Sequence, residues 1–152
     1  MAFPWGKPGT PLESHQGPRK WQREVLIELR EHIKANNGRM DFETFRMATS
    51  SGRGIGKSAL VSWLVIWMLT TRIGSTTIVS ANSEAQLRSV TWAEITKWLS
   101  MALHSHWFEV SATRVLPAKW IAELVERDLK LGTRYWGVEG RLWSAENPDA
   151  YA

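Results

Sequence analysis

The chain contains no cysteine. Disulfides, thiolate metal sites and a cysteine nucleophile are excluded, and a reducing compartment fits. Long apolar runs are missing too. The longest, Ala59–Leu69 (ALVSWLVIWML), is interrupted by Ser62 and falls well short of the ~20 residues that span a bilayer. The start, MAFPWGKPGTPLE, has no apolar stretch behind a basic head, so no secretory signal is expected. Together these absences predict a cytoplasmic chain without a membrane partner. Proline is scarce beyond residue 18. Pro4, Pro8, Pro11 and Pro18 crowd the first 18 residues with Gly6, Gly9 and Gly17 among them, which predicts an extended, poorly packed arm over 1–18.

What is present describes a folded chain of about one domain. Among 152 residues, 43% are apolar and 22% charged, near the average for a globular protein, so global disorder is not expected. Ten tryptophans imply large buried aromatic surface or several stacking platforms. Charge is uneven: residues 1–75 carry 11 Lys/Arg against 6 Asp/Glu, and residues 76–152 carry 8 against 9. A basic first half suits a polyanion such as nucleic acid or nucleotide phosphate, and equally suits plain solubilising charge.

Periodicity then orders the elements. WQREVLIELREHIKAN sets Trp21, Val25, Leu29 and Ile33 on one helical face, stopped by Asn36-Asn37-Gly38. Asp41–Ser50, with Phe42, Phe45 and Met47 between threonines, predicts a strand ending near Thr49. Lys57–Thr71 is apolar nearly all round and predicts a buried helix. Thr76–Ala81 (TTIVSA) reads as a buried parallel strand. Asn82 and Ser83 start a helix whose stripe is Leu87, Val90, Ile95, Trp98 and Leu99. Further on, FEVSATRVL suggests a strand, Pro117–Lys130 a helix and TRYWGVEGRLW another strand. The alternation predicts an α/β fold with a parallel sheet flanked by helices.

Between the strand and the buried helix stands Ser51-Gly52-Arg53-Gly54-Ile55-Gly56-Lys57-Ser58. It follows the phosphate-loop pattern G-x-x-x-x-G-K-[S/T], with Ser51 in place of the first glycine. Glycines let backbone N–H groups approach phosphate oxygens, and the following helix aims its unsatisfied N–H groups at the same anion. Lys57 supplies a full charge to the phosphates and Ser58 a hydroxyl for Mg²⁺. A dinucleotide fingerprint fails twice, because it needs glycine at position 57 and an acid where Asn82 stands.

With PRKWQREVL, ATSSGRGIGKSALVSWLVIWML, VSANSEAQLRSVTWAEI and WSAENPDAYA, the chain from about Pro18 onward resembles the N-terminal ATPase part of large terminase subunits of tailed bacteriophages. The resemblance implies a RecA-like P-loop NTPase fold, incomplete at the C-terminus: an arm over 1–18 and a partial ATPase domain over 19–152. It implies ATP and Mg²⁺ as ligands, Gln22 as the adenine reader, and Arg53 and Lys57 as catalytic charges on the γ-phosphate. Ser51, Gly52, Gly54, Ile55 and Gly56 would form the cradle, with Ser58 on the metal. Its partners would be double-stranded DNA, the small terminase subunit and the portal protein, around a ring homo-oligomer. No apolar strand ending in two acids and no nuclease domain occurs here, so the chain reads as an N-terminal fragment with little ATP turnover of its own. The rival readings are a fragment of a helicase-like P-loop ATPase and a non-catalytic prophage remnant.

The other conspicuous residues have plainer readings. His104 and His106 fit a helix end or a solvated turn better than a metal site, with Glu109 the sole further ligand nearby. Glu146 and Asp149 lie in a Pro-containing loop. Trp63, Trp67, Trp92 and Trp98 follow helical spacing and are expected in the core. Trp5 is freer to meet a partner, and Arg88 and Lys97 fit a solvated face or DNA.

Overall fold

The computed structural model describes residues 2–37, 43–50 and 52–142. The chain divides into two compact units, Trp5–Lys57 and Met1–Pro4 with Ser58–Ala152. The division falls at the end of the glycine loop, inside the stretch 19–152 expected to be one domain.

In the first unit, α1 spans Lys20–Ala35. Its expected apolar face is only half-buried, and its one fully buried residue is polar, Gln22. Residues 5–18 are built from turns, where an extended arm was expected. Gly6 N–H donates to Leu12 O (3.0 Å) and His15 N–H to Leu12 O (3.0 Å), while Leu12 is buried. The prolines and glycines here close turns as readily as they would extend a chain; Gly6, Gly9 and Gly17 all hold positive φ.

The strand expected over Asp41–Ser50 does not form in its described part. Residues 43–50 have no ladder. Their polar groups find side chains of α1 and its cap: Glu43 N–H donates to Asn36 Oδ1 (3.2 Å), and the His32 ring bonds Glu43 O (2.8 Å). Phe45 rests against the same His32 ring, centroids 5.1 Å apart.

The second unit is α/β, a four-stranded mixed sheet flanked by helices. Its elements are α2 (Lys57–Thr71), β1 (Thr76–Ala81), α3 (Glu84–Gln86), a π-helical stretch Leu87–Trp92, α4 (Ala93–Ser100), β2 (Phe108–Val110), β3 (Arg114–Pro117), α5 (Lys119–Leu124) with a π-helical turn Val125–Leu129, and β4 (Gly137–Leu142). The sheet order is β1-β4-β3-β2. Only β1 and β4 are parallel, in register from Thr76↔Gly137 to Ala81↔Leu142; β3 runs antiparallel to both β4 and β2. The all-parallel expectation fails at FEVSATRVL, which folds as two strands and not one. Ser111 N–H donates to Arg114 O (2.8 Å) and Ser111 Oγ accepts from Arg114 N–H (3.1 Å), closing a turn too short for a parallel crossover.

Apolar burial organises this unit. Ile66 and Leu69 of α2, Ile95 of α4, Val115 of β3, Val138 of β4 and Trp136 are almost fully buried, and Phe108 meets the Trp136 ring edge-on, centroids 5.6 Å apart. The indole N–H of Trp136 donates to Leu69 O (2.8 Å), the carbonyl of a helix end, so the largest core side chain is also satisfied. Phe3 packs edge-on against Trp98, centroids 5.5 Å apart.

Candidate phosphate-binding loop

Residues 52–56 have no regular structure and lead into α2 at Lys57. Gly54 and Gly56 take φ of 76° and 90°, the region where a Cβ is strained, so the glycines stand where the backbone requires them. Three consecutive carbonyls of the loop are held by the start of α1. Arg19 Nη1 donates to Gly54 O (3.3 Å), Trp21 Nε1 to Ile55 O (3.2 Å) and Gln22 Nε2 to Gly56 O (2.8 Å).

That clamp fixes where the amides point. In a planar trans peptide the N–H of residue i+1 is directed opposite to the C=O of residue i, and no cis bond occurs among the described residues. With carbonyls 54, 55 and 56 turned to α1, the N–H groups of Ile55, Gly56 and Lys57 face away from it. Those of Ile55 and Gly56 make no hydrogen bond among the described residues. Successive N–H groups on one side of a glycine turn form an anion-binding concavity.

The charged groups sit on the same short segment. Lys57 Nζ donates to Gly52 O (2.8 Å), which folds the ammonium back along the loop. Arg53 is exposed and makes no hydrogen bond or ion pair among the described residues. Ser58, exposed, is the second residue of α2, and its carbonyl accepts from Ser62 Oγ (2.8 Å). Ser51 lies outside the described residues.

Gln22, the adenine reader implied by the resemblance, is buried at the start of α1. It is 2% exposed. Its Oε1 accepts from Arg19 N–H (2.8 Å) while its Nε2 holds Gly56 O, so both ends of the amide serve backbone. Sequence reasoning missed Arg19 and Trp21 as loop-holding residues. Trp21 was assigned to the apolar stripe of α1, and the signal available was four successive side-chain donors, Arg19 to Gln22, at a helix start.

The remaining candidates described beyond Lys57 belong to the sheet unit and have partners or burial there. His104 tilts against Trp107 (5.2 Å) and His106 stacks on Trp120 (6.2 Å, 7°). Among the described residues no three His, Cys, Asp or Glu side chains group to hold a metal. Trp63, Trp92 and Trp98 are buried, whereas Trp67 is half-buried with the Arg72 guanidinium 5.3 Å from its ring. Arg88 pairs with Glu84 (2.8 Å) and Lys97 with Glu94 (3.8 Å). Glu146 and Asp149 lie outside the described residues. No described helix is long and apolar enough to cross a membrane. No family model, curated protein or solved structure matches the chain.

Proposed function

We propose that Gly52–Ser58 is a phosphate-binding loop that takes a nucleoside triphosphate with Mg²⁺, ATP on the terminase resemblance. The observation that carries this reading is the clamp on carbonyls 54–56, which turns three successive amides outward. Amide N–H groups bonded to a phosphate oxygen contribute about 1.5–3 kcal/mol each. Lys57 exchanges the Gly52 carbonyl for an anionic oxygen, a stronger charge-assisted bond. Arg53 supplies a second cation from the same loop, suited to charge that spreads over equatorial oxygens as a phosphoryl group transfers. The Ser58 hydroxyl would hold Mg²⁺, whose charge offsets that of the phosphates.

The α/β sheet is compatible with a RecA-like fold, and the glycine loop leading directly into α2 supports it, although residues 43–50 before the loop form no strand. On this reading the chain is the nucleotide-binding N-terminal portion of a phage large terminase subunit. Double-stranded DNA, the small subunit, the portal and a ring assembly are what the resemblance adds to that proposal.

The test is a calorimetric titration of ATP·Mg²⁺ into the parent chain, Lys57→Ala and Arg53→Ala. The parent binds. Lys57→Ala loses about 2–5 kcal/mol, the cost of leaving a charged partner unpaired, and Arg53→Ala loses less. A parent that does not bind, or a Lys57→Ala chain that binds as well as the parent, refutes the loop's role.

A further inference from the structure

Resting on that reading, we propose that the site recognises the triphosphate and not the base: Gln22 is a positioning residue for the loop, and GTP binds as ATP does. Three observations carry this. Gln22 is 2% exposed, so its amide is not offered to a ligand from solvent. Both amide ends are committed at 2.8 Å, Oε1 to Arg19 N–H and Nε2 to Gly56 O. The approach to Gly56 is so close that a Cβ there would lie 2.8 Å from Gln22 Nε2, so the glycine and the glutamine are fitted to each other.

Reading adenine takes two hydrogen bonds from a glutamine, one to N6 and one to N7. Swinging Gln22 out would break the same number and leave the Gly56 carbonyl and the Arg19 N–H behind without partners. No hydrogen bond is gained, and two backbone groups lose theirs. The swing would also release Gly56 O, one of the three carbonyls whose orientation turns the amides toward the anion. Base readout by Gln22 would therefore loosen the cradle that binds the phosphates. Trp21 offers no substitute, because its indole N–H is committed to Ile55 O.

The experiment measures calorimetric affinities of ATP, GTP and inorganic triphosphate, each with Mg²⁺, for the parent chain and for Gln22→Met, which keeps the side-chain volume and removes the amide. In the parent, ATP and GTP bind within about threefold of each other. Gln22→Met weakens ATP, GTP and inorganic triphosphate together, by about five- to tenfold, and leaves the ATP:GTP ratio unchanged. A purely structural role would lower the melting temperature without moving all three affinities in parallel. An ATP preference above about tenfold in the parent overturns the proposal, as does a Gln22→Met chain that loses only ATP affinity. Should Gln22→Met fail to fold, the parent's ATP:GTP ratio decides. Inorganic triphosphate that binds beside a strong ATP preference sinks only this proposal. A parent that takes none of the three ligands sinks the phosphate loop itself.

Discussion

The two units are stabilised by different means. In Trp5–Lys57 three described residues are buried, Leu12, Gln22 and Asn36, and two of them are amides. In the sheet unit every buried residue except Ser62 is apolar. Burial of apolar surface is strong and non-directional, so it fixes that a core forms and tolerates modest reshaping. Hydrogen bonds contribute less each but fix orientation. A loop that must hold three carbonyls one way needs orientation more than it needs area. The bonds donated by Arg19, Trp21 and Gln22 serve that end.

The largest effect is expected where burial dominates. Trp136→Ala removes the central side chain of the sheet unit and its bond to Leu69 O. It should cost about 3–5 kcal/mol, as for other buried aromatic truncations, read from urea unfolding followed by far-UV circular dichroism. A loss below about 1 kcal/mol, typical of surface changes, would mean the core is not organised around this residue.

Next in size are the loop glycines, where geometry and not area is at stake. At Gly56 an alanine meets a φ of 90° and a Cβ 2.8 Å from Gln22 Nε2; at Gly54 it meets a φ of 76° and nothing within 4 Å. Gly54→Ala should cost about 1–2 kcal/mol from backbone strain alone. Gly56→Ala should cost more, within about 1–3 kcal/mol, and should weaken inorganic triphosphate binding further than Gly54→Ala does. Equal losses in thermal unfolding would show that the Gln22–Gly56 fit carries no energy of its own.

How much of this the sequence disclosed depends on how local each cause is. Lys57–Thr71, Thr76–Ala81 and Pro117–Lys130 were legible as elements because periodicity or β-branching sets them from within, and Lys130 closes its helix in the left-handed conformation (φ 56°). The burial expected of Thr76–Ala81 holds only at Val79, with Ile78 exposed. Residues 43–50 were misread because a strand exists only with a ladder partner, and Phe45 and Met47 alternate whether or not one arrives. FEVSATRVL was misread because a three-residue turn at Ser111–Thr113 outweighs its run of β-formers. The glycine loop was plain from its spacing. The clamp beneath it was not, since each of its bonds joins residues 34 or 35 apart and Trp21 fits an amphipathic stripe equally well.

A smaller effect separates donor from ring. Trp21→Phe keeps an aromatic side chain on the half-buried face of α1 and deletes the N–H that holds Ile55 O. The stability cost should be about 0.5–1.5 kcal/mol, the net worth of one hydrogen bond, with a several-fold loss of triphosphate affinity. If affinity stays at the parent's value, Trp21 serves packing, and the contrast between the units narrows to Gln22 alone.

The smallest effect tests the apolar unit at a polar exception. His104 Nε2 is buried without a hydrogen-bond partner among the described residues. Burial, with neighbouring positive charge added, lowers the pKa of His104 below the ordinary histidine value of 6.5. The unfolded chain then binds a proton that the folded chain refuses, so the neutral ring's stabilisation is fully present above 6.5 and is lost as pH falls through the lowered folded value. His104 as a whole is half-buried, with its Nε2 out of contact with solvent. Melting temperatures taken from about pH 7.5 down to about pH 5 should fall more steeply for the parent than for His104→Leu, which has nothing to protonate. Parallel curves would place the acid sensitivity on other groups. They would leave the sheet unit's stability to burial alone.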